Sequence, residues 1–103
     1  DSAEVAIGSH QCRGGNIVCY LRLEGSQQNR IREILFTGDF VITPPRLIYD
    51  LEASLRGAEI SDSPSQLRTF FSQTTVDALS VSPDDFLVAM KNAIQDSRVR
   101  QVT

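Results

Sequence analysis

The 103-residue chain is 41 % hydrophobic and carries a net charge of −3, which is enough apolar material for one core and too little chain for a second at about 100–200 residues per domain. Ten basic residues against thirteen acidic ones exclude the basic footprint with which a general nucleic-acid binder neutralises phosphates, and apolar runs of only a few residues exclude a membrane-spanning helix of about 20. One His, two Cys and no Trp leave little for acid–base, nucleophilic or metal chemistry, so the composition points to a component of something larger.

The first residues, Asp1 to Glu4, are small and acidic rather than basic-then-apolar, which predicts no secretory signal and a cytoplasmic setting. Residues 1–12 read as a lead-in or linker in which Val5-Ala6-Ile7 is a candidate edge strand. Ile17, Cys19, Leu21 and Leu23 then alternate with Val18, Tyr20, Arg22 and Glu24, the period of a half-buried strand. Gly25 to Asn29 is a polar turn and Ile31 to Thr37 a second apolar-rich run, so the two strands predict an antiparallel hairpin.

Gly38 to Pro45 is a stiff connection in which Thr43 is expected to cap a helix holding Pro44 and Pro45 in its first turn. Leu47, Ile48, Leu51 and Leu55 follow helical spacing, Glu52 and Arg56 form an i,i+4 pair expected on the surface, and Gly57 sits where a left-handed cap belongs. Ser63-Pro64-Ser65-Gln66 and Ser82-Pro83-Asp84-Asp85 each predict a helix start of the capping-box kind. Leu67, Phe70 and Phe71 form the first stripe and Phe86, Leu87, Met90, Ala93 and Ile94 the second. Residues 75–81 read as a loop or short strand, and 96–103 as a polar tail that frays. The whole predicts an α+β fold: a small antiparallel sheet based on a β-hairpin, with about three helices packed on one face.

His10 and Cys12 are half of a conceivable metal site, but no second Cys or His pair exists to complete four ligands, so no metal is expected. Cys19 lies on the apolar register and is expected to be a buried thiol. A Cys12–Cys19 disulfide is conceivable, although cytosolic thiols stay reduced. Gly14-Gly15 lacks the Gly-Lys-Ser/Thr helix start of a phosphate loop and reads as a lead-in or strand bulge, with Arg13 beside it available for an anion or a partner carboxylate. Asp39, in Gly38-Asp39-Phe40, either satisfies turn backbone or is displayed to a partner with Phe40 as an apolar anchor. Adjacent Asp84 and Asp85 read as capping residues rather than a catalytic dyad. No nucleophile–base–orienter set can be assembled, so no catalytic residue is nominated.

Taken in order, Arg13-Gly14-Gly15-Asn16-Ile17-Val18, the run Arg30 to Phe40 with its Gly38-Asp39-Phe40 end, Pro44-Pro45, Leu51-Glu52-Ala53-Ser54-Leu55-Arg56-Gly57 and Leu79 to Phe86 resemble the small accessory domain of lipoate–protein ligases. The resemblance runs over residues 13–95, with Arg13 where the family commonly has Lys and no counterpart for residues 1–11. It implies a domain that follows a catalytic domain in one chain or stands beside it as a subunit. It further implies that lipoate and ATP, with magnesium, are handled by the assembled ligase and not by this chain alone. The partner does the chemistry: lipoate and ATP give lipoyl-adenylate and pyrophosphate, and the lipoyl group passes to a lysine of an acceptor protein. On this reading the chain is no enzyme in isolation, supports the adenylation step, and has no nucleic-acid or membrane partner. Arg13, Gly14, Gly15, Gly38, Asp39 and Phe40 would form or support its docking face. The alternative is a stand-alone protein-interaction or small-ligand regulatory module, since fold does not fix function.

Overall fold

The strand periodicities resolve into a three-stranded antiparallel sheet in the order β1-β2-β3, formed by β1 (Ala6–Cys12), β2 (Gly15–Glu24) and β3 (Arg30–Asp39). The computed structural model describes residues 4–102. Residues 1–3 and Thr103, read above as parts of a lead-in and a tail, lie outside the described residues. Ile17, Cys19, Leu21 and Leu23 of β2 all face inward as the alternation predicts, joined by Ile31, Ile34 and Phe36 of β3. The helices α1 (Arg46–Leu55), α2 (Ser63–Gln73) and α3 (Pro83–Val102) cover that one face. Helix α3 lies on β1 and β2, α1 on β3, and α2 between the two other helices. A second, two-stranded sheet joins β4 (Ile42–Thr43) to β5 (Ala78–Leu79), so the 75–81 segment does contain a short strand.

Residues 6–12 are a full strand of the domain rather than a lead-in. Their inward positions carry Ala6, Gly8, His10 and Cys12 in place of branched aliphatics, because the α3 backbone itself fills the space. A Cβ on Gly8 would overlap the Ala93 nitrogen and the Ala89 carbonyl oxygen. The same approach carries α3 past residue 96, where a frayed tail is expected from the sequence. Asp96 Oδ2 accepts the Ile7 N–H at 2.9 Å, Asn92 Nδ2 donates to the Ser9 carbonyl at 2.8 Å, and Ser97 is buried. These side chains serve backbone groups along the β1 edge, one of the ways an edge strand is kept from pairing with another chain.

The helix starts divide. Ser82 and Asp85 form the reciprocal cap expected of them: the Ser82 N–H donates to Asp85 Oδ2 at 2.8 Å and the Asp85 N–H to Ser82 Oγ at 3.3 Å. Ser63 does not cap α2; its buried hydroxyl donates to the Ile60 carbonyl at 2.8 Å within a preceding 3₁₀ turn. Thr43 does not cap α1 either, because it is paired with Ala78 in the second sheet and its carbonyl accepts the Asp77 N–H at 2.9 Å. Pro44 and Pro45 therefore stand just ahead of α1, with their carbonyls accepting the Leu47 and Ile48 N–H groups. Gly57, at φ +85°, follows α1 where expected.

Glu52 is not a surface residue. It is only 4 % exposed, and its Oε2 accepts the Phe36 N–H at 2.9 Å, which satisfies the free edge of β3. Burial raises its pKa above the ordinary 4.5, opposed by the Phe36 N–H and by the charge of Arg56. A carboxyl with a raised pKa holds its proton in the folded state at pH values where the unfolded chain has lost it. Its contribution to stability therefore falls as pH rises from 4.5 through the raised value. Glu52→Gln keeps an acceptor for Phe36 and removes the ionisation, so urea melts across that window should show a flatter stability profile than wild type. Glu52→Ala, which orphans the Phe36 N–H, should cost about 1–3 kcal/mol. Parallel profiles for wild type and the Gln variant would contradict this account of Glu52.

Candidate functional site

The six residues nominated from sequence meet at one corner of the sheet. Cys12 pairs with Gly15, so Arg13 and Gly14 are the two-residue turn of the β1–β2 hairpin and not a flexible lead-in. The antiparallel register sets Asn16 opposite Asp39 and Ile17 opposite Gly38, which carries the end of β3 alongside that turn. Asn16 Oδ1 accepts the Asp39 N–H at 2.7 Å. Gly15 and Gly38 take φ of +140° and +133°, and each lies against the other strand's backbone, at Asp39 and Asn16, with no room for a Cβ. Such positions are open to glycine alone.

Ser80 closes the corner from beneath. Its carbonyl lies against Gly14, its Oγ accepts the Val41 N–H at 2.8 Å, and its N–H donates to the Val41 carbonyl at 2.9 Å. Backbone groups are thus served by Asn16 and Ser80, which leaves Arg13 and Asp39 exposed without an ion pair among the described residues. Asp39 is held through its N–H by Asn16, and its exposed carboxylate stands at the corner.

Phe40 is half-buried: its ring packs edge-on to Phe86 at a centroid distance of 5.2 Å and also lines the surface beside the corner. The larger apolar exposure next to Asp39 comes from Val41, 54 % exposed, and Tyr49 of α1, 69 % exposed. Together with Phe36, Gly38, Phe40 and Pro45 they line an open groove of about 450 Å³. Tyr49 was discoverable from sequence as the aromatic lying off the Leu47, Ile48, Leu51, Leu55 stripe.

Behind the hairpin turn, the end of β1 meets the first turn of α3. His10 Nε2 donates to Asp85 Oδ1 at 2.9 Å, and Cys12 Sγ donates to the Gly15 carbonyl at 3.3 Å. The Ser82 N–H chiefly, and then the side chains of His10, Ser82 and Cys12, hold the Asp85 carboxyl below its usual range against the opposing effect of burial. Its stabilising contribution is present above the ordinary carboxylate pKa and is lost as pH falls through the depressed one. Cys12 and Cys19 are both free thiols. Burial, aided by the charge of Glu52, pushes the Cys19 thiol far above its usual range, so it is inert.

Gly14 joins two antiparallel strands rather than a strand and a helix, and the Ser80 carbonyl lies where a Gly14 Cβ would stand. A phosphate cradle needs successive free N–H groups opening onto a helix. The arrangement can instead present a cation, a carboxylate and an apolar groove to another protein surface.

No protein-family model matches the chain. It is 35 % identical over 81 residues to lipoate-protein ligase A subunit 2 of Thermoplasma acidophilum, a similarity covering 79 % of this chain and 82 % of that protein. Its fold is similar to that of a chain solved in structural work on an archaeal lipoylation system, a bipartite lipoate protein ligase and its E2 lipoyl domain from Thermoplasma acidophilum. The TM-score is 0.73 at 31 % identity, over 86 % of this chain and 97 % of that one.

Proposed function

The chain belongs to the family of the small accessory subunit of lipoate–protein ligase, and from that premise we propose that it docks on a separate catalytic subunit and supports lipoate adenylation there. In that half-reaction the lipoate carboxylate attacks the α-phosphorus of ATP, a new acyl–phosphate bond forms, and pyrophosphate leaves. In the second, the lysine nitrogen of an acceptor protein displaces AMP. Lipoate and ATP are substrates held by the catalytic subunit in this reading, with magnesium accompanying the nucleotide, and the acceptor protein meets the present chain only through it. The cytoplasm is the proposed setting, where two unpaired thiols stay reduced. No helix among the described residues is long and apolar enough to cross a membrane.

One observation carries the docking assignment. Two motifs of the family resemblance, Arg13-Gly14-Gly15 and Gly38-Asp39-Phe40, share a rigid corner whose charges are both exposed and whose flank is the Val41–Tyr49 groove. A rigid non-catalytic surface of this kind acts by closing over a neighbour's site. It excludes water from a reactive mixed anhydride and orders the loops that position the reactants.

The test is Arg13→Ala combined with Asp39→Ala, both exposed and outside the core, so that stability should stay within about 0.5 kcal/mol of wild type. With the catalytic subunit added, lipoate-dependent pyrophosphate exchange should fall at least about tenfold. Transfer from preformed lipoyl-adenylate should stay nearly intact. Equal loss of both steps, or of neither, contradicts the assignment.

A further inference from the structure

His10, Cys12 and Asp85 place an imidazole nitrogen, a thiol sulfur and a carboxylate oxygen within 4.8 Å of one another. We propose that these three residues form a zinc site that clamps the β1–β2 hairpin to the start of α3. The proposal does not depend on the docking role. It rests on four features of the chain.

The first is strand geometry: residues two apart on a strand face the same side, so His10 and Cys12 of β1 are presented together toward α3. The second is the donor set. Imidazole, thiolate and carboxylate together suit zinc, whereas magnesium and calcium take oxygen donors. The third is spacing: tetrahedral zinc bonds of about 2.0–2.3 Å hold donor atoms about 3.5 Å apart. The His10–Asp85 pair is already at 2.9 Å, so rotation of the Cys12 side chain from the Gly15 carbonyl completes the approach. The fourth is orientation from behind. Asp85 Oδ2 accepts both the Ser82 N–H at 2.8 Å and the Ser82 hydroxyl at 3.1 Å, which leaves Oδ1 toward the other two ligands, as outer-shell partners do at built metal sites.

Zn–N, Zn–S and Zn–O bonds form, the Cys12 S–H proton leaves to solvent, and the proton that His10 Nε2 shares with Asp85 moves through solvent to Nδ1, so that the neutral imidazole binds through Nε2. The Nε2–Oδ1 hydrogen bond gives way to the two metal bonds. The fourth position takes water. Lower pH weakens such a site, because protons compete for sulfur and nitrogen.

The experiment titrates the reduced 103-residue chain with Co²⁺ and then displaces the cobalt with Zn²⁺. One Co²⁺ per chain should bind, with a near-ultraviolet thiolate-to-cobalt charge-transfer band that zinc abolishes, and zinc should raise the melting temperature. Cys12→Ser, nearly isosteric and half-buried, should remove the band, and His10→Gln should weaken binding at least about tenfold. Cys19→Ala should keep both. Absence of stoichiometric binding, or a band and affinity unchanged by Cys12→Ser, would overturn the site.

Discussion

Phe86→Ala should destabilise the domain by about 3–5 kcal/mol, with a fall in Tm of at least about 12 °C for a domain of this size. Phe86 is fully buried and is the hub of an aromatic cluster. Its ring stands edge-on to Phe36 at 5.4 Å and to Phe40 at 5.2 Å, and lies stacked on Phe71 at 5.6 Å. Truncation leaves a cavity bounded by the sheet, by the segment after β3 and by α2, elements too differently anchored to collapse into it together. Each aromatic pair adds about 0.5–1.5 kcal/mol beyond area burial, which puts the loss toward the upper end. Because Phe40 rests on this ring, the variant should also lose the setting of residues 38–41 and with it the docking corner, even at temperatures where it is folded. Denaturant melts at fixed pH measure the cost, and a loss below about 1 kcal/mol would show that Phe86 is not the hub.

The second large effect is expected at Gly8→Ala, which adds a single methyl group. The new Cβ would meet backbone on α3, at the Ala93 nitrogen and the Ala89 carbonyl oxygen, and backbone cannot swing aside as a flexible side chain can. Overpacking typically costs about 1–3 kcal/mol, and a clash with a helix backbone belongs at the top of that range. Relief requires β1 and α3 to separate, which would also stretch the Ile7–Asp96 and Ser9–Asn92 hydrogen bonds. Amide exchange should therefore accelerate along β1 more than along β3. Uniform protection in the two strands, or wild-type stability, would contradict the close approach.

The parts of the fold that sequence discloses are those whose periodicity comes from large apolar side chains. Strand β2 and the stripes of α1 and α3 are readable because Ile17, Leu21, Leu51, Leu55, Phe86 and Met90 are placed by burial alone. Strand β1 shows only its start, at Val5-Ala6-Ile7, for the converse reason: a helix backbone fills the space that aliphatic side chains would fill, so Gly8 and the polar residues after it break the pattern that marks a strand. Glu52 misleads because i,i+4 spacing with Arg56 suits a surface pair, while only the fold shows that the β3 edge needs an acceptor at Phe36. Thr43 and Ser63 misleads of the same kind arise because a hydroxyl before a proline can serve a sheet or a 3₁₀ turn as readily as a helix end.

The candidate site divides along the same line. Arg13 and Asp39 could be nominated from the motifs that hold them, and the register then unites them. Phe40, an apolar residue beside an exposed acid, is half-buried against Phe86, and the larger apolar exposure next to it belongs to Val41 and Tyr49, which only the fold brings alongside. Asp85 completes the His10–Cys12 pair from 75 residues away, a distance no local spacing pattern spans.

The proposed support of adenylation is measured by lipoate- and ATP-dependent pyrophosphate exchange by the catalytic subunit with this chain added and withheld, run beside transfer from preformed lipoyl-adenylate. The expected result is no exchange from this chain alone, strong stimulation of exchange by the catalytic subunit when the two are mixed, and little effect on transfer. Full exchange by the catalytic subunit without this chain, or stimulation confined to the transfer step, would contradict it.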